Sequence, residues 1–66
     1  MAIEYVAISI EPTVDGDGDE IAEYVVAAMD NDGDPVGMIW RHDRGEAAER
    51  TARQLADAFS VEWGYE

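Results

Sequence analysis

Hydrophobic and polar positions divide the chain into four stretches, and the first is the clearest. Residues 3–11 are rich in β-branched and aromatic types. Val6, Ile8 and Ile10 fall on one side of an extended chain, and Ile3, Tyr5 and Ala7 on the other, followed by Ser9 and Glu11. This composition, stopped by Pro12, predicts a strand. Both sides carry apolar residues, so neither is plainly a solvent face. Residues 13–19, with alternating Gly and Asp, predict a loop.

Residues 21–29 fit two patterns. Tyr24, Val25 and Val26 favour a strand. Ile21, Tyr24, Val25, Ala28 and Met29 also fit a helical stripe that Asp19 could cap. The next segment decides for the strand. Residues 30–35, Asp-Asn-Asp-Gly-Asp-Pro, have turn chemistry, and a short apolar run follows over residues 36–40. A Gly-bearing loop between two such runs reads as a hairpin. A helix comes next. Asp43 is placed to cap a start near residues 44–46. Ala48, Ala52, Leu55 and Phe59 make one stripe, with Thr51, Ala56 and Ala58 beside it. Glu46 precedes Arg50 by four and Glu49 precedes Arg53 by four, the favourable order for intrahelical ion pairs. The helix is expected to end near Ser60, and the tail, residues 61–66, to pack back on the sheet or on a neighbour.

The expected architecture is therefore α+β: a three-stranded antiparallel sheet in the order β-β-β-α, with the C-terminal helix packed on one face. Residues 1–66 make a single domain, with no dividing linker and no apparent internal repeat. A chain of this length buries only about 60% of the surface that its unfolded form exposes. It has no Cys, so disulfides and thiolate metal sites are excluded. A partner subunit is the remaining way to enlarge the interior. One helix covers one sheet face, and an apolar face left open marks an interaction surface. A homodimer or other homo-oligomer is expected, with Ile3, Tyr5, Trp40, Trp63 and Tyr65 as interface candidates. Trp40 and Trp63 serve equally well as core residues. The competing arrangement folds Trp63 and Tyr65 over the open face and leaves a monomer.

Charge changes the picture most. Sixteen acids stand against four bases, a formal net charge of −12, and all four bases are Arg. Such a chain repels itself in dilute solution. At around 1 M salt the Debye length falls to about 3 Å and the repulsion is largely screened. The composition, acidic and without Lys, resembles that of small haloarchaeal proteins, which implies a salt-rich cytoplasm. With 47% hydrophobic residues the chain is no disordered acidic tail. Its charge argues against nucleic acid as a partner. No apolar run approaches the roughly 20 residues needed to span a bilayer. The start, Met1 to Tyr5, has no basic leader region and meets an acid at once, so a cytoplasmic location is expected.

Little chemistry stands out. Asp15, Asp17 and Asp19 are spaced like the opening of a calcium loop. That pattern, however, needs Gly where Glu20 sits and Glu where Val26 sits. Asp30, Asp32 and Asp34 fail likewise, at Pro35 and Arg41. A solvated acidic loop is the better reading of both. The lone histidine, His42, has no Cys or second His for a zinc site and no nucleophile in view. No glycine-rich phosphate loop and no Lys for a Walker-type motif are present. The four arginines and His42 do concentrate in residues 41–53, where they face only three acids. Arg41, His42 and Arg44, at the junction of strand and helix, form a candidate anion site. No catalytic residue, metal or cofactor is assigned. The expected function is a small protein-interaction or accessory module acting as a homo-oligomer. Binding of a small anionic ligand is the alternative, and an enzyme has the least support. Sheet-and-helix arrangements of this order also occur in some DNA-binding domains, which is analogy of fold alone.

Overall fold

The computed structural model describes residues 2–66. β1 (Tyr5–Val14), β2 (Glu20–Met29) and β3 (Pro35–His42) form a meander, α1 (Gly45–Phe59) crosses it, and β4 (Glu62–Tyr65) closes the chain. The sheet has four strands in the order β3-β2-β1-β4. β1 pairs antiparallel with β2, and β2 with β3, while β4 runs parallel to β1, so the sheet is mixed. The fold is α+β as expected, but the three-stranded antiparallel sheet needs correction. The tail is a fourth strand, and it is parallel because α1 carries the chain back over the sheet before β4 begins. Residues 21–29 are strand, as the hairpin pattern implied.

Two clusters sit on opposite faces of the sheet. Val6, Ile8 and Val26 lie under Ala48, Ala52 and Ala56 of α1, with Tyr24, Trp40, Leu55, Val61 and Trp63 packed around them. Alanine at i, i+4 and i+8 lets the helix backbone approach the sheet closely. Phe59 departs from the expected stripe and is 46% exposed. The other face carries Ala7, Ala27 and Met29, with Tyr5 against them.

The helix ends differ from expectation in a readable way. Arg44, in an extended conformation, is the N-cap and makes no side-chain cap, so Asp43 does not cap the helix. Only Glu46, an acid in the first turn, favours the positive end of the helix. At the other end Ser60 takes the left-handed conformation (φ 57°, ψ 44°), the Ser60 N–H donates to the Asp57 carbonyl, and the Val61 N–H donates to the Ala56 carbonyl at 2.9 Å. This is a Schellman closure in which Val61 turns back into the core.

Two hairpin loops share one design that the sequence reading missed. In Asp15–Asp19 the Asp15 Oδ1 accepts from the N–H groups of Asp17 and Asp19 at 2.9 and 3.0 Å. In Asp30–Asp34 the Asp30 Oδ1 accepts from Asp32 and Asp34 at the same distances. Gly18 and Gly33 hold the fourth place at φ +86° and +82°, where an L side chain is strained. Each is a type I turn closed by a glycine bulge. The repeat Asp-x-Asp-Gly-Asp is visible in the sequence, but five residues fall below the length at which repeats define architecture. The carboxylates at positions 15 and 30 therefore serve the turns.

Candidate functional site

At the junction of β3 and α1, neighbouring side chains point to opposite faces of the sheet. Arg41 lies on the open face, where its Nη1 donates to Glu23 Oε1 at 2.6 Å. It is the one ion pair among the described residues. The hydrogen bond and charge of Glu23, helped by Glu11, raise the Arg41 pKa above its ordinary value. His42 lies on the helix side, where its Nε2 shares a 2.9 Å hydrogen bond with Thr51 Oγ1 of α1. Tyr24 pairs with His42 across the strands, and its ring edge comes within 3.4 Å of where a Cβ at Gly45 would stand. His42 thus ties helix to sheet. Arg44 is exposed at the helix start. The three residues of the candidate anion site fall within four positions of the sequence, but Arg41 and His42 lie on opposite faces of the sheet.

The helix face toward β4 uses its charges across elements. Tyr65 Oη donates to Glu49 Oε2 at 2.5 Å, and that bond, with the nearby charge, pushes the phenol up to about 12. The Arg53 guanidinium stands over the Trp63 ring, 5.8 Å from its centroid. The expected ion pairs Glu46–Arg50 and Glu49–Arg53 are absent among the described residues; in place of the second, β4 brings a phenol to Glu49 and an indole to Arg53. Glu46, Glu49, Arg50 and Arg53 still line a common shallow shelf.

The interface candidates divide. Trp40 and Trp63 are partly buried against the helix-side cluster. Tyr65 is half exposed on that same side. Tyr5 lies on the open face with Ala7, and Ile3 is partly buried just ahead of β1. Sequence reasoning missed the rest of the open face, Val25, Ala27, Met29 and Ile39, which the strand registers bring beside Ala7, Tyr5 and Gly64. No charged residue falls within this patch, although Glu11, Glu23, Arg41, Glu62 and Glu66 border it, Glu66 accepting from Ser9 Oγ at 3.1 Å. The signal that could have found it is the alternation of β2 taken together with that of β1. Among the described residues, no group of three or more His, Cys, Asp or Glu side chains is placed to hold a metal ion, and no helix is long and apolar enough to cross a membrane.

Compared with protein-family models, curated proteins and solved structures, the chain matches none.

Proposed function

We propose that this protein is a self-associating interaction module of a salt-rich cytoplasm, a homodimer that joins through the sheet face away from α1. One observation carries the reading: in a chain of net charge −12, the centre of that face is apolar and uncharged, with Ala7, Val25, Ala27 and Met29 buried within the single chain and Tyr5 and Ile39 more accessible around them. A second copy can stack there without bringing like charges together at the centre. Small side chains at Ala7, Ala27 and Gly64 suit the roughly 10 Å spacing of stacked sheets.

The sheet edges suit association less. β3 begins at Pro35 and is interrupted opposite Ala28 by an irregular stretch at Gly37, whose φ is +81°. β4 spans four residues. Bulges, prolines and short edge strands all obstruct edge-to-edge pairing.

Light scattering on purified protein in molar KCl tests the proposal. Ile39 is 43% exposed, so Ile39→Glu leaves the monomer fold intact while placing a charge in the contact. The expected result is a dimeric wild type, a monomeric Ile39→Glu with native circular dichroism, and a dimeric Phe59→Glu. A monomeric wild type at every concentration overturns the reading.

A further inference from the structure

The β1–β2 ladder runs through ten residue pairs, but its neighbours cover only half of it. β4 lines β1 over Tyr5–Ile8, and β3 lines β2 only from Tyr24 onward. The helix begins beside Tyr24. Residues 11–14 and 20–23 therefore form a two-stranded arm beyond the layered part of a molecule 40 Å long and 22 Å wide. A two-stranded ribbon is marginal by itself. On its helix side this one continues the core stripe of Val6 and Ile8 into Ile10, Pro12 and Val14, with Ala22 opposite. Ile10 is 55% exposed and Val14 62%. Pro12, Thr13, Val14 and Glu20 line a shallow depression there.

The arm's charge identifies its occupant. Residues 9–23 contain six acids and no base, and only Glu23 is neutralised, by Arg41. Glu11 pairs with Glu23 on the opposite face and Asp15 serves its own turn, so Asp17, Asp19 and Glu20 are the carboxylates left at the tip end of the apolar strip. A second copy would bring its own −12 to the same place. We infer that the arm docks a cationic segment of another protein, one that alternates basic and branched apolar side chains. Its apolar side chains would lie on Ile10, Pro12 and Val14, and its cations against the acids of the tip.

The contact is face-on. The Asp15 N–H bonds the Asp19 carbonyl, which makes 15/19 a hydrogen-bonded pair and, by alternation, 12/22 a non-hydrogen-bonded one. The Pro12 nitrogen therefore points outward, where a strand added at this edge would need an N–H. This surface is separate from the dimer face, and either can fail without the other.

The twin turns supply a matched control. The probe is a fluorescein-labelled synthetic peptide of alternating Lys and Val, titrated by anisotropy at moderate salt with circular dichroism confirming the fold. Asp17→Asn with Asp19→Asn weakens binding about tenfold, whereas Asp32→Asn with Asp34→Asn, the same charge change in the same turn geometry, moves it less than about twofold. Val14→Ser weakens it and Phe59→Ser does not. Equal losses at both turns, insensitivity to Val14→Ser, or no saturable binding each overturn the inference. A change in oligomeric mass on Val14→Ser also overturns it, by making the occupant a second copy.

Discussion

Gly18 and Gly33 allow one local perturbation to be made twice, in two different tertiary settings. Each sits at a strongly positive φ, and an added Cβ at either meets nothing within 4 Å. Substitution by Ala therefore has no packing cost. The left-handed conformation costs an L residue about 1–2 kcal/mol. Stiffening of the unfolded chain offsets about 0.4–1 kcal/mol. The net cost is about 1 kcal/mol at both sites. Gly33 closes the turn between β2 and β3, which must form for α1 to find its sheet. Gly33→Ala should therefore lower the melting temperature in molar KCl by about 4–8 °C, measured at fixed protein concentration because self-association shifts apparent stability. Gly18 sits at the tip of the arm, which can open while Val6, Ile8, Val26 and the three helix alanines stay packed. Gly18→Ala should move the melting temperature less than half as far. Its cost should appear instead as local opening, with hydrogen exchange at the Thr13 and Ile21 amides faster by about fivefold. If Gly18→Ala destabilises the protein as much as Gly33→Ala, the arm folds as one unit with the core and the argument fails.

Ser60 is a non-glycine residue in the left-handed closing position of α1, so Ser60→Gly should raise stability by up to about 1 kcal/mol in urea titration, while Ser60→Val lowers it. Ala52 is fully buried between helix and sheet, so Ala52→Leu should cost about 1–3 kcal/mol by overpacking, read from the same titrations. The Tyr65 phenol titrates near 12 in the folded protein against about 10 unfolded. Because that pKa is raised, the Tyr65–Glu49 contact stabilises fully below pH 10 and is lost as pH rises toward 12. Ultraviolet titration, with Tyr65→Phe identifying the signal, should show a late phenolate that Glu49→Gln moves back toward 10; an unmoved phenolate would refute the assigned cause.

Local pattern determined much of this protein. The β-branched and aromatic residues of β1, the Gly-Asp turns and the alanine stripe of α1 each state their conformation over a few neighbouring residues, whereas β2, taken alone, fits strand or helix and is decided by the turn that follows it. Helix and strand types follow from such short-range preferences, as does the end of α1 at Ser60. Composition likewise sets the net charge. The tertiary structure decided what depends on distant pairing. β4 has four residues, too few for an alternation to register, and exists only because β1 offers it a parallel edge. That pairing brings Tyr65 to Glu49 and Trp63 to Arg53, in place of the Glu49–Arg53 ion pair anticipated from spacing. Arg41 and His42, neighbours in the chain, are separated by the pleat itself. The uncharged patch draws on all four strands, whose registers are set by long-range hydrogen bonding and by which face α1 covers. No window of sequence contains that information, because such a contact depends on how far apart in the chain its partners lie.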